Sequence, residues 1–225
     1  MPVVEVQDVV KEYERGGQPL LALDGVSLSI ESGTFVSITG PSGAGKSSLL
    51  HLLGGLDRAT RGSVRVDHAE LQELSDDALT AFRRQRLGFV FQFFNLLPTL
   101  SAWQNVALPR LLDGVPLRRT RARAVELLEQ MGLADRVAHR PAELSGGELQ
   151  RVAIARAMVA DPVLILADEP TGNLDSVTGH GVLSRLKGCA ADGRTVVMVT
   201  HDASAAAFGD RTVELRDGRI LADRT

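Results

Sequence analysis

Gly40-Pro41-Ser42-Gly43-Ala44-Gly45-Lys46-Ser47 fits the pattern G-x-x-x-x-G-K-[ST] at every fixed position, and the rest of the chain is organised around it. A β-type run, Thr34 to Thr39, precedes this stretch and an apolar helical run, Ser48 to Leu53, follows it, which is the strand-loop-helix context the pattern needs. The glycines let successive backbone N–H groups turn inward at phosphate oxygens. A helix starting near Lys46 adds the positive end of its dipole at the same point. Lys46 supplies a mobile charge for the β- and γ-phosphates, and the Ser47 hydroxyl is the expected Mg2+ ligand. A turn that bound nothing would need one or two of these glycines and would have no use for Lys46-Ser47. The stretch predicts a triphosphate site, a feature that many folds with unrelated tasks carry.

With 225 residues the chain predicts one large domain, or a core with a subdomain, burying roughly 70% of its unfolded surface. A net charge of −3 lacks the basic field that duplex nucleic acid demands, so no nucleic-acid partner is expected. Cys189 is the only cysteine, which excludes an internal disulfide and suits a reducing compartment. No run approaches the ~18 apolar residues of a membrane span, and Met1 to Glu5 shows no basic stretch leading into an apolar one. The expectation is a cytoplasmic chain that meets a membrane only through a partner. Only Lys11, Lys46 and Lys187 are lysine among the basic residues, a bias that reads as codon composition rather than mechanism.

Val3, Val4, Val6, Val9 and Val10 predict a strand, followed by Tyr13 and a turn at Gly16-Gly17; Val26 to Ile30 alternates and predicts a second. The opening therefore reads as an antiparallel unit beside the phosphate-loop core. Tyr13 is either an ordinary edge aromatic or a ring offered to an adenine base. A short strand, Ser63 to Val66, a helix from Asp76 to Arg86 and a strand from Leu87 to Phe91 lead to Gln92. Arg83-Arg84-Gln85-Arg86 reads as a solvated helix end in preference to a binding patch. Phe93-Phe94-Asn95-Leu96-Leu97-Pro98 is unusually apolar for a loop, and is either core packing or an exposed groove that receives another protein. Helices are expected at Ser101 to Leu112 and Arg119 to Met131. The second turns Val125, Leu127, Leu128 and Met131 to a core, and Arg119, Arg121 and Arg123 to solvent.

Leu144-Ser145-Gly146-Gly147-Glu148 opens a helix running to about Val159, with Ser145 and Glu148 as a capping box. A serine hydroxyl both donates and accepts, so Ser145 can cap the helix and still donate to a phosphate. Val163 to Ala167 reads as a strand buried on both faces, with Asp168 and Glu169 at its C-terminal end, the edge where open α/β sheets bind ligands. Two adjacent carboxylates there need a cation or a reaction. Thr171 to Asp175 turns into a helix covering about Ser176 to Ala190. Thr195 to Thr200 is a further buried strand ending at His201, and two short strands, Arg211 to Leu215 and Arg219 to Leu221, close the chain. His51, His68, His139 and His180 have no ligand spacing and read as surface or packing residues. The alternation predicts a mostly parallel α/β core interrupted by helices between Asn95 and about Arg156.

Tyr13, Gly40 to Ser47, Gln92, Leu144 to Glu148, Leu164 to Asp168 with Glu169, Asp175 and His201 stand in the order and spacing of one family: the chain resembles the nucleotide-binding subunit of ATP-binding cassette (ABC) transporters over essentially its whole length. Gln92 to Leu100 and Asp168 to Asp175 look like the branch that contains the macrolide exporter MacB, the lipoprotein-releasing ATPase LolD and the cell-division ATPase FtsE. The resemblance implies a RecA-like P-loop NTPase core with an N-terminal antiparallel β-subdomain and an inserted α-helical subdomain. Residues 1–225 would be one ATP-binding domain, with 1–92 and 157–225 as β-subdomain plus core and 93–156 as the helical part carrying the signature.

The resemblance also implies the roles. ATP would lie on Gly40, Pro41, Ser42, Gly43, Ala44, Gly45, Lys46, Ser47 and Ser48 with its adenine on Tyr13, while Ser145, Gly146 and Gly147 of a second copy cover the γ-phosphate and Asp175 aligns the interface. Ser47, Gln92 and Asp168 would hold Mg2+, the last through water. Glu169 would orient or deprotonate the attacking water, and His201 and Lys46 would meet the transferring phosphate. A permease subunit would dock near Gln92 to Leu100, leaving the chain peripheral on the inner face of the cell membrane. The work would be export or extraction; a scaffold role like that of the cell-division relative, or a cytoplasmic cassette ATPase, stands as the alternative. Glu148 where glutamine is commoner, and Ser48 where threonine is usual, should cost nothing. His68 in place of a common glycine puts its local turn in question.

Overall fold

The N-terminal valines alternate faces, and that pattern folds as β1 (Pro2–Arg15), paired antiparallel with β2 (Gln18–Glu31) in a register that sets Val4 opposite Ile30 and Tyr13 opposite Leu20. The structure, a computed structural model, describes residues 2–16 and 18–225, so Gly17 of the expected Gly16-Gly17 turn lies outside the described residues. β2 begins well before Val26. Its first half carries the exposed Leu20 and Leu21 and so shows no buried alternation; backbone pairing with β1 holds it. β4 (Arg61–Val66) lies along the other edge of β1, and the short β5 (Ala69–Glu70) follows it, giving the order β2-β1-β4-β5. Asp67 and His68 both have positive φ, 47° and 67°, and close the β4-β5 hairpin as a two-residue turn. His68 therefore keeps the turn.

The second sheet is the core: β10-β9-β3-β8-β7-β6, with β3 (Phe35–Thr39), β6 (Leu87–Phe91), β7 (Leu164–Asp168), β8 (Thr195–Val199), β9 (Arg211–Arg216) and β10 (Arg219–Arg224). All neighbours are parallel except β10, which runs antiparallel to β9. Leu164 to Ala167 and Thr195 to Val199 are buried throughout, because both faces of a parallel sheet are covered. On one side Ile38, Leu166 and Val199 pack with Leu49 and Leu53 of α1 (Lys46–Leu53) and with the inner valines of the antiparallel sheet. On the other, Ile165 and Met198 pack with Ile154 of α5 (Gly146–Met158) and Leu186 of α6 (Ser176–Ala191).

Between β6 and β7, α3 (Ala102–Leu112), α4 (Leu117–Gln130) and α5 pack on one another. In α4, Leu127 and Leu128 are buried and Val125 only half-buried. Arg119 and Arg121 are exposed, and Arg121 lies 5.4 Å from the Trp103 ring centroid. The arginines ending α2 (Asp76–Arg86) are not simply solvated: Arg83 donates to the Gly55 carbonyl at 2.7 Å, Arg84 pairs with Asp113 at 2.9 Å, and Arg86 bonds Asp67 at 2.7 Å. Phe93 to Pro98 divides between both expectations. Phe93 and Leu97 are exposed, 72% and 46%, whereas Leu96 packs against the core.

Candidate active site

The phosphate loop leaves β3 at Thr39 and enters α1 at Lys46, one residue later than a glycine that only backbone freedom can explain. Gly45 has φ 98°, and a Cβ there would stand 2.3 Å from the Ala22 carbonyl oxygen; at Gly40 a Cβ would stand 2.0 Å from that of Leu215. β2 and β9 thus clamp the loop from behind. No side chain caps α1, so its first N–H groups are left for an anion. Lys46 is buried, and its Nζ donates to the Gly40 and Pro41 carbonyls at 2.8 and 2.9 Å.

Asp168 ends β7 beside α1, and the Ser47 hydroxyl donates to its Oδ1 at 3.4 Å. Burial pushes the Asp168 carboxyl above the usual range; His51 opposes this, the neighbouring Glu169 charge adds to it, and Ser47 and Lys46 pull slightly the other way. Glu169 has φ 47°, a left-handed backbone that is strained in a non-glycine residue. Its carboxylate meets His201 Nδ1 at 2.8 Å through Oε1 and 2.6 Å through Oε2. Gln92 follows β6; its side-chain amide reaches Asn173 Oδ1 at 3.5 Å, and Asn173 Nδ2 donates to the Gln92 carbonyl at 2.9 Å. The pair ties the end of β6 to the turn after β7.

One open cleft of about 670 Å3 gathers Tyr13, Ser42, Gly43, Gly45 to Ser48, Gln92, Asp168, Glu169 and His201. Leu20, Leu21 and Ala22 of β2 complete its wall. Those three were missed in the sequence because that half of β2 has no buried alternation; the Tyr13–Leu20 register is the signal that finds them. Ser47, Asp168 and Gln92 are oxygen donors that suit a hard cation such as Mg2+, and the desolvated Asp168 carboxylate is a fitting ligand. Among the described residues no three His, Cys, Asp or Glu side chains could hold an ion unaided, so phosphate oxygens and water would complete its shell.

Gly40, Pro41 and Ala44 support the loop without lining the cleft, and Ser145, Gly146, Gly147 and Asp175 lie outside it altogether. Ser145 Oγ accepts from Glu148 N at 3.4 Å and Glu148 Oε2 accepts from Ser145 N at 2.8 Å, with Arg136 on Glu148 Oε1 at 3.0 Å. The expected capping box is present. A Cβ on Gly147 would stand 2.3 Å from Thr178 Cγ2, so only glycine fits against α6. Asp175 caps that helix through Thr178 N at 3.0 Å. The signature and Asp175 thus form a second surface that contributes nothing to the lining of the cleft.

The family profile described as ABC transporter matches residues 23–172. The chain is 50% identical over 218 residues to an ABC transporter ATP-binding protein of Thermotoga maritima, covering 97% of this chain and 93% of that one. It is 48% identical over 222 residues to a macrolide export ATP-binding/permease protein MacB of Hyphomonas neptunium, covering 99% of this chain and 34% of the relative. It thus spans about a third of the length of that relative. Among solved structures, the ATP-binding cassette MJ0796, dimeric and bound to ADP and Pi in a post-hydrolysis state, matches with a TM-score of 0.91 at 45% identity, covering 99% of this chain and 98% of that one.

Proposed function

The chain belongs to the ABC transporter family of ATP-binding cassettes, and from that premise we propose that it hydrolyses ATP as a pair of copies and drives a permease supplied by polypeptide outside these 225 residues. The separation of the cleft from the signature carries the reading. Phosphate-binding residues fill one surface of the chain, while Ser145, Gly146 and Gly147 open a second helix N-terminus on another. Two copies related by a two-fold axis would close each cleft with the partner's signature, so one triphosphate would bridge two net-acidic chains. The dimeric state of MJ0796 supports this arrangement.

Within each site Lys46 would exchange its carbonyl partners for β- and γ-phosphate oxygens, and Tyr13 would carry the adenine. Mg2+, held by Ser47, by Gln92 and through water by Asp168, would neutralise charge on the phosphates. Glu169 would orient the attacking water and take its proton, with His201 fixing that carboxylate and then facing the γ-phosphate. Gln92 would report on the γ-phosphate, since its backbone joins the cleft to the helical part.

A second cleft, about 370 Å3, opens beside Gln92 to Leu100 and is lined by Phe89, Phe91, Leu108, Pro109 and Leu112 with Arg156. Leu112 in its lining is 64% exposed, and Phe93 in the loop beside it 72%, which supports docking of an apolar element of the permease on this face. Among the described residues no helix is long and apolar enough to cross a membrane. The cassette would then sit on the inner membrane face. The test is purification of the Glu169→Gln protein from its native membrane in ATP, with mass spectrometry of what accompanies it. A multi-span partner supports the reading; recovery of cytosolic proteins alone overturns it.

A further inference from the structure

From Lys11 onward β1 has lost its second neighbour: the pairing with β4 ends at Val10 opposite Arg61, and Lys11–Arg15 pair only with Gln18–Leu23, a two-stranded ribbon with Leu20 and Leu21 exposed. A lone two-stranded ribbon is marginal in water, yet Tyr13 projects from this one into the nucleotide cleft. The loop after α1 holds it down. Tyr13 Oη donates to Asp57 Oδ2 at 2.9 Å, Lys11 Nζ donates to Asp57 Oδ1 at 2.6 Å and to the Arg58 carbonyl at 2.9 Å, and Glu12 N donates to Thr60 Oγ1 at 3.0 Å. Lys11 Nζ also stands 4.7 Å from the Tyr13 ring centroid, backing the aromatic system with a cation.

We propose that Asp57 and Lys11 are positioning residues for the nucleotide base: Asp57 locks the Tyr13 phenol to the exit of the phosphate-binding helix, and Lys11 supports the ring so that it is presented to a purine. The inference rests on the reading of Tyr13 as the base platform. Asp57 is built for the task. Burial opposes its ionisation, but hydrogen bonds from Lys11, from the Arg58 amide, received by Oδ1 at 2.7 Å, and from Tyr13 outweigh it and hold the carboxyl below the usual range. The phosphate site lies at the start of α1, where Tyr13 Oη also reaches Ser48 Oγ at 3.5 Å, and Asp57 follows that helix in the chain, so the phenol is tied to the same helix that opens the phosphate site. Inorganic tripolyphosphate, which has no base, should be indifferent to this lock.

Calorimetric titration of the whole chain with ATP and with inorganic tripolyphosphate tests the inference. Asp57→Ala and Lys11→Met should each weaken ATP binding about fivefold or more, leave tripolyphosphate affinity unchanged, and add nothing in a Tyr13→Leu background. In turnover the loss should appear in KM rather than kcat. Equal weakening of ATP and tripolyphosphate would show the pair acting on the phosphate loop and overturn the inference. So would wild-type ATP affinity in both variants when Tyr13→Leu alone binds ATP weakly, an outcome that spares Tyr13 as the platform. Undiminished ATP affinity in Tyr13→Leu would remove the platform itself.

Discussion

Ser145→Ala separates two tasks of one hydroxyl. As a cap, Ser145 Oγ accepts from Glu148 N at 3.4 Å, near the long limit for a hydrogen bond, while the reciprocal bond from Ser145 N to Glu148 Oε2 at 2.8 Å needs no serine side chain and survives the change. The stability lost should therefore fall toward the low end of the capping range, about 0.5–1 kcal/mol. For a chain of this size that lowers the unfolding midpoint by about 1–4 °C. As a donor to the γ-phosphate on a second copy, the same hydroxyl would carry about 10²–10³ in turnover, the usual effect of losing one preorganised donor. ATP binding to the single chain should be unchanged, since Ser145 does not line the cleft. Steady-state ATPase rates at 25 °C, calorimetric ATP affinity and a thermal melt distinguish the two roles. Turnover within about twofold of the parent would refute the donor role; a fall in single-chain ATP affinity as large as the fall in rate would refute the separation of signature and cleft.

Glu169→Gln should bind ATP, accumulate as a closed dimer on a sizing column and lose about 10²–10⁴ in turnover; near-parental turnover would remove Glu169 from the chemistry. Gly45→Ala should destabilise the fold by about 2–5 kcal/mol, read as a lower urea midpoint, because a left-handed residue gains a Cβ 2.3 Å from the Ala22 carbonyl. Burial raises the Asp168 carboxyl above its unfolded value of 3.8, so its ionised form costs stability at neutral pH, a cost relieved as pH falls through the raised value. Asp168→Asn should accordingly raise the melting midpoint of the nucleotide-free chain at pH 7 while diminishing the stabilisation gained from ATP with Mg2+, both visible by calorimetry. A lower nucleotide-free midpoint would contradict that electrostatic account.

The helix and strand bounds around Asp76 to Phe91, the buried runs of β7 and β8, and the Ser145–Glu148 box were legible because each is local: a cap at fixed spacing, or an apolar run bounded by turn residues. The first half of β2 was not. Leu20 and Leu21 face the cleft and solvent, and nothing in their own neighbourhood distinguishes them from a loop; only pairing with β1 makes them strand and site wall. The arginines ending α2 misled for the same reason, since Asp67, Asp113 and the Gly55 carbonyl are distant in sequence from at least one of them.

The sequence by itself determined the phosphate loop, the carboxylate pair at the end of β7, the capped signature helix and hence the family, because those motifs are short and their chemistry is carried by consecutive residues. What the tertiary structure decided is which of them meet. The parallel sheet sets the ends of β3, β7 and β8 side by side and so joins Ser47, Asp168, Glu169 and His201 in one cleft, while packing of Gly147 on Thr178 and the Asp175 cap on α6 keep the signature apart. The lock of Lys11 and Tyr13 on Asp57 belongs to the same class. Its partners are more than forty residues apart and become neighbours only when a two-stranded ribbon lies across the end of α1.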